Sequence, residues 1–344
     1  MWSLCLTDSS AQQEIPDWQI LLQLDNDLFA EADRDYTSGV RIGFLQEIPA
    51  STYQAKGMVR RLEDRASPLT NRLKSFRISD SSKLRFARGF GLTQLMCTPD
   101  NPRALVAPEG QRPYAGWLGL EYSLHVKDRN YANSLTFTLG STGDGSLAEE
   151  AQNWVHRYIS NSPLFQGWDS QVPSEITANI HFDHKQRFRG LLSESLGDIE
   201  FDGYYETGIS LGNFRTDAYL GGLARVGIRL PSNFSTPRVR LGSFGQELFS
   251  DSQSDERKLS TFLFAGLRGV AVAHDITLDG PIFREFDGAV RSKSIVGEAL
   301  YGLGFRYRKL DLVFSQTLRS KEFEGQDKSQ KFGSVMLGFK SAFN

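Results

Sequence analysis

Three stretches of the chain gather side chains that can do chemistry. The first spans residues 25–39, where Asp25, Asp27, Glu31, Asp33 and Asp35 place five carboxylates within eleven residues, with Asn26 among them and Thr37 and Ser38 just behind. Clustered oxygen donors suit a hard cation, and Ca²⁺ takes about six to eight of them. The spacing is not that of an EF-hand, because the central glycine and terminal glutamate are missing; a solvated acidic loop is the competing reading. The second stretch is 146–159. Ser146 and Glu149 have capping-box spacing and Glu149 and Glu150 suit a first helical turn, so a helix is predicted here. Its apolar stripe is Leu147, Ala151, Trp154, Val155 and Tyr158, and Gln152, Asn153 and His156 project together from an adjoining face.

An imidazole can take a proton from water or a hydroxyl near neutral pH, which makes His156 a candidate general base and Gln152 a candidate substrate contact beside it. The chain has five histidines, His125, His156, His181, His184 and His274, and taken alone any of them is more often a satisfied surface or core residue. The third stretch is Arg112-Pro113-Tyr114-Ala115-Gly116-Trp117. Arg112 can fork onto a phosphate or carboxylate, while the tyrosine and tryptophan suit a membrane interface or an aromatic girdle at a strand start.

The elements that must position these residues are strands. Alternation with period two recurs at 18–24, 40–45, 84–93, 117–124, 134–139, 175–185, 204–212, 219–230, 260–273, 296–308, 310–319 and 331–343. Several of these segments have the length a tilted strand needs to cross a bilayer. Twelve is an even number, as single-chain bacterial barrels require. The predicted fold is therefore an all-β, 12-stranded antiparallel transmembrane barrel with a short extracellular helix in the loop between the fifth and sixth strands. With both termini periplasmic, the stretches 25–38, 96–114 and 141–174 converge on the outer rim. The long connection 47–83 faces the other way, and Met58, Leu62, Leu69 and Leu73 fall near helical spacing within it. A soluble β-sandwich or lipocalin-like barrel is the alternative, since either would also alternate.

Composition narrows the classes. The 39 basic and 41 acidic residues nearly cancel, which argues against a nucleic-acid partner. A mean hydropathy of -0.36 and the lack of any long apolar run exclude a transmembrane helix but not a barrel, whose strands alternate polar with apolar residues. Two cysteines, Cys5 and Cys97, make no disulfide framework. Residues 1–13, with a short apolar patch before Ser9-Ser10-Ala11, read as a signal remnant or a tail, and 14–344 as one barrel domain.

Together the motifs resemble the outer-membrane lipid A 3'-O-deacylase family. The resemblance rests on Asn26-Asp27, Asp33-Arg34-Asp35-Tyr36-Thr37-Ser38-Gly39, Arg112-Pro113-Tyr114-Ala115-Gly116-Trp117 and Gln152-Asn153-Trp154-Val155-His156. It continues in Leu211-Gly212-Asn213-Phe214, in the stretch 225–231 and in 274–283. It implies a 12-stranded barrel in the outer membrane of a Gram-negative bacterium and Ca²⁺-dependent hydrolysis of the ester bearing the 3'-linked acyloxyacyl chain of lipid A. It implies Asn26, Asp27, Thr37 and His156 as catalytic residues, with Asp27 holding the Ca²⁺. The family's basic substrate contact has no clean counterpart, and Arg103 is the nearest candidate. Lipopolysaccharide and outer-membrane lipids are the expected partners, and a monomer the expected state.

Two nucleophiles stay open: water activated by His156, or the hydroxyl of Thr37 or Ser38. Two other functions compete, an outer-membrane phospholipase or esterase with the same histidine and calcium chemistry, and a porin-like barrel that is not an enzyme.

Overall fold

A computed structural model describes residues 18–26, 35–48, 85–128, 130–188, 195–234 and 259–341. The expectations for residues 1–13 and for a helix within 47–83 lie outside the described residues. The barrel strands are β1 (Trp18–Asn26), β2 (Asp35–Ile48), β3 (Arg85–Thr98), β4 (Ala115–Lys127), β5 (Tyr131–Thr142) and β6 (Ile176–Arg187), followed by β7 (Ile199–Gly212), β8 (Arg215–Ile228), β9 (Ser260–Asp275), β10 (Ile295–Tyr307), β11 (Leu310–Arg319) and β12 (Gln330–Ser341). A two-residue strand, Ser195–Leu196, pairs with the start of β7 and is not a stave of the barrel. Each strand pairs antiparallel with its neighbour in sequence, β1 pairs with β12, and the β6–β7 ladder from Asn179↔Gly212 to Arg187↔Tyr204 closes the circle. The predicted all-β fold of 12 antiparallel strands is what forms. Among the described residues no helix is long and apolar enough to cross a membrane.

Burial is inverted relative to a soluble barrel. On β1, Gln19, Gln23 and Asp25 are 4%, 3% and 0% exposed, while Leu22 and Leu24 on the opposite face are 43% and 37% exposed. The same inversion runs through β2 to β5, where Ile42, Phe44, Phe90, Leu92, Leu120, Tyr122, Phe137 and Leu139 are all exposed. A large exposed apolar face on every stave is costly in water and favourable against lipid tails. The alternative of a soluble sandwich falls on this point.

Much of the buried charge is paired across the interior. Arg41 Nη2 lies 3.0 Å from Glu121 Oε1, Arg41 Nε donates to Thr93 Oγ1 at 3.0 Å, and the Thr93 hydroxyl donates to the same Glu121 oxygen at 2.6 Å. Arg268 with Glu206, Arg306 with Asp311 and Arg225 with Asp202 repeat the device around the wall. At the end of the barrel that carries β1's first residue, Phe234 is fully buried; Lys185 Nζ donates to its carbonyl at 3.0 Å and the Arg187 guanidinium lies 4.5 Å over its ring. The opposite end is packed by α2 (Ile276–Asp279), a single turn capped by Asp275, which accepts from the Thr277 amide at 3.0 Å. There Ile276 joins Cys97, Trp117, Val172, Phe214 and Phe332 in one apolar cluster.

Trp117 corrects the reading of its motif as a membrane-interface segment. It is fully buried and its indole Nε1 donates to Thr177 Oγ1 at 2.7 Å, and Tyr114 is equally buried with its hydroxyl donating to the Ala104 carbonyl at 2.8 Å. Both rings are structural, and neither stands at the lipid boundary. The interior ion pairs make a testable demand. Glu121→Ala strands the buried Arg41 charge and should cost about 3–5 kcal/mol, whereas Arg41→Met with Glu121→Leu should recover most of that loss; urea unfolding from lipid vesicles measures both.

Candidate active site

The predicted helix is α1 (Ala148–Val155), in the connection between β5 and β6. Its start differs from a capping box. A 3₁₀ turn, Gly143–Ser146, leads into Leu147 with φ 53°, and the Ser146 hydroxyl accepts from the Ala148 amide at 3.3 Å. The helix docks on the barrel's outer face, not its lumen. Gln94 shares the outward side of β3 with exposed Phe90 and Leu92, and its amide donates to the carbonyls of Ser146 at 2.7 Å and Leu147 at 3.1 Å. Gly116, on the outward side of β4, is the contact point: a Cβ there would lie 2.1 Å from Ser146 Oγ and 2.5 Å from Ala148 Cβ. Met96, Tyr114, Ala148, Phe165 and Trp168 fill the space between helix and wall.

The face that α1 turns to the wall is Ala148, Gln152 and His156, at i, i+4 and i+8, all three buried. Of the apolar stripe, which could lie on the barrel wall or dip into lipid, Leu147, Trp154 and Tyr158 turn away from the wall and are 52%, 57% and 68% exposed, while Ala151 packs toward it. What the helix hides is its amide and imidazole. His156 begins a π-turn, His156–Ser160, that ends at Asn161 with φ 52°; such turns are frequent at functional sites.

His156 Nδ1 lies 2.7 Å from the carbonyl oxygen of Pro163. A carbonyl can only accept, so Nδ1 carries a proton, and in the neutral ring the lone pair of a base is on Nε2. The ring is steadied by an edge contact with Phe165, centroids 5.8 Å apart. Gln152 is fixed as firmly: the Trp168 indole donates to its Oε1 at 3.0 Å, which assigns the amide and leaves the buried Nε2 as a donor with no hydrogen-bond partner. Nearby, partial burial followed by the Glu150 and Asp169 charges pushes the Glu149 carboxyl above its ordinary range.

Strand register places the other residues. Asn26, on the outward side of β1 with Leu22 and Leu24, pairs with Ser38 of β2 on one side and with Gly333 of β12 on the other. Ser38 pairs with Met96, and Met96 with Gly116. One outward-facing row therefore runs from beneath α1 through Gly116, Met96 and Ser38 to Asn26. Asn26 is two strand spacings from Met96, roughly 10 Å. The β2–β3 register slips between Tyr36 and Ser38, so Thr37 is the residue at the bulge, the kind of irregularity that re-aims a side chain. Its own side chain and all of Asp27 lie outside the described residues.

The two arginines separate. Arg103 is exposed on the connection between β3 and β4, which packs beside α1's loop through the Gln166 amide on the Pro102 carbonyl at 2.9 Å. Arg112 is 4% exposed, paired with Glu322 at 2.8 Å and donating to Thr277 Oγ1 at 2.7 Å, so it holds the inner packing at the loop end of the barrel. The row also extends beyond the residues singled out from sequence: Gly333 pairs with Gln316 and Gln316 with Tyr301. Gln316 is a polar residue on the lipid-facing side of β11, where Phe314 and Leu318 are exposed. Such a placement is expensive unless it is used.

A family model described as outer membrane protein LpxR matches residues 1–341. The chain belongs to the LpxR family of outer-membrane proteins. This is the lipid A deacylase family that the motifs resemble, and it fixes the cell outer membrane as the location. Among solved structures, LpxR from Salmonella typhimurium superposes with a TM-score of 0.70 at 16% identity, over 93% of this chain and 99% of that one. The β domain of the Bordetella autotransporter BrkA gives a TM-score of 0.42 at 11% identity, over 95% and 98% of the two chains. No curated protein sequence matches.

Membership in the LpxR family does not by itself explain why this chain has glycine at 116. The contact distances do, and they predict that Gly116→Val pushes α1 off the wall while leaving the barrel closed. The expected result is unchanged heat-modifiable migration on gels with faster protease cleavage within 143–175.

Proposed function

We propose that this protein hydrolyses the ester that bears the 3'-linked acyloxyacyl chain of lipid A. The observation that carries the reading is the pairing, on the outer wall, of a buried imidazole whose Nε2 is kept as a base with a buried amide whose donor has no partner. Both lie on the buried face of α1, whose first turn rests on Gly116, and Gly116 stands in the outward row that continues to Ser38 and Asn26. A lipid ester in the outer leaflet lies at this height, below the sugar and above the chains. A porin would need an open lumen, and here the inward Arg41, Glu121, Arg268 and Glu206 are nearly inaccessible and engaged with one another or with neighbouring residues.

His156 Nε2 takes a proton from the attacking water while Nδ1 keeps its hold on the Pro163 carbonyl, so the ring need not turn during the step. The Gln152 Nε2 amide offers a preorganised donor to negative charge developing on the ester oxygen. Asn26 and Ser38 are oxygen donors of the kind a hard cation takes, and with Asp27 next in sequence they fit a Ca²⁺. Among the described residues no three acidic, histidine or cysteine side chains form a metal cluster; the acidic residues at 27–33 are outside that set. Asn26 and Asp27 would hold the Ca²⁺, which when bound supplies positive charge toward the carbonyl oxygen. Arg103, exposed on the connection between β3 and β4, would meet an anionic head group. Thr37 and Ser38 offer a hydroxyl nucleophile as the rival to water.

Mass spectrometry of lipid A from cells carrying the protein tests the proposal: the wild type should remove the 3'-linked chain and His156→Ala should leave it in place. Release of a plain fatty acid from glycerophospholipid instead would move the reading to a phospholipase. Gln152→Ala should lower kcat about 10²–10³-fold with a smaller change in KM if its amide serves the transition state. A rise in KM with kcat unchanged would make it a ground-state contact.

A further inference from the structure

The outward row does not stop at Asn26. It continues through Gly333, Gln316 and Tyr301, each of which lies farther from the loop end of its strand than Asn26 does, and Tyr301 farthest. Asn26 is the last residue of β1, Gly333 is three residues into β12, Gln316 is three short of the end of β11, and Tyr301 is six into β10. Six residues are about 20 Å of strand. Along this descent the wall carries an apolar groove of about 510 Å³ whose upper lining includes Gly333 and Val335 and whose lower lining includes Leu303 and Leu263. Gly333 supplies no side chain between Asn26 and Gln316, which leaves the upper end open beside Asn26. Leu303 and Val335 are only partly exposed, whereas Leu263 and Tyr301 stand 59% and 46% exposed as its sides.

We propose that this groove binds the acyl chain carried by the carbonyl that is cut, holding it against β9–β12 while the carbonyl rests between α1 and Asn26. The inference rests on the hydrolase reading. The occupant follows from continuity: an acyl chain begins at the reacting carbon, the groove opens one strand away from Asn26, and it descends into the bilayer, the direction the chain must take. Its lining is apolar and its length crosses four strands, or roughly 14 Å sideways in addition to the descent. The groove is thus a ruler for chain length, built on the lipid-facing wall instead of inside the barrel.

Val335→Trp, which narrows the groove, is compared with Leu139→Trp, an equally outward change on β5. Leu303→Trp serves as a second groove variant should Val335→Trp fail to fold, judged by heat-modifiable migration. In the first measurement, the rate ratio between long-chain and short-chain esters of the same glycolipid should fall about tenfold in the groove variant. That is the loss expected if roughly two methylene groups no longer find the wall. The control should keep the wild-type ratio. The second measurement uses His156→Ala as background and reads, by native mass spectrometry, lipid A retained from detergent. The groove variant should lose it and the control keep it. If groove and control variants match in both measurements, the groove holds only boundary lipid and the proposal is overturned. If the wild type cleaves neither ester, the hydrolase reading fails, and retention alone then decides the groove.

Discussion

In the bilayer core no water is present to satisfy a backbone amide, so every N–H and C=O on the wall must find a strand. The closing ladders β1–β12 and β6–β7 are where this constraint is met, and the rest of the molecule follows from closure. A closed sheet of tilted strands has hydrogen-bonded rows that slope across the membrane. The row through Gly116, Met96, Ser38, Asn26, Gly333, Gln316 and Tyr301 therefore starts at the rim and ends within the apolar wall. A polar head and an apolar tail can be met by one continuous line of residues because of that slope.

Closure also turns the usual core inside out. The lumen receives the charged side chains, and with Arg41, Glu121, Arg268 and Glu206 so nearly inaccessible, each has to be matched in charge and hydrogen bonds. Phe234 at one end and the α2 turn at the other pack against this polar interior. Among the described residues, this part of the inward face is given over to pairing those charges. The outer wall is where a lipid substrate resides, and α1 is the element that brings buried polar groups to it.

How much of this was legible in the sequence depended on which neighbour a pattern implies. Alternation in residues such as Leu22-Gln23-Leu24 reports a strand whichever side is lipid, and the even count then fixed the class. The helix was legible from Ser146, Glu149 and Glu150 even though its cap formed differently. Which face would pack was not legible. In water the bulky stripe Leu147, Trp154 and Tyr158 would turn inward; beside a membrane, lipid accepts bulky apolar groups as readily as protein does, and close contact is left to small residues. Ala148 against Gly116 is that contact. The motif 112–117 misled for a related reason: an Arg, a Tyr and a Trp at a strand start look the same whether they line a girdle or, as here, pack beneath loops. Gln316 gave no signal at all, because a single polar residue acquires meaning only when register sets it in line with Asn26.

The exposed side of α1 bears on the chemistry as well. Trp154 and Tyr158 pack ring to ring, 6.3 Å apart, on the side away from the wall, where aromatic residues favour the head-group layer. The helix is then held from two sides, by small residues on protein and by aromatic residues in the interface. His156 and Gln152 sit on the protein side of that arrangement, screened from lipid by the helix itself. The imidazole is thereby held between helix and wall, at the end of the barrel where Ala148 meets Gly116.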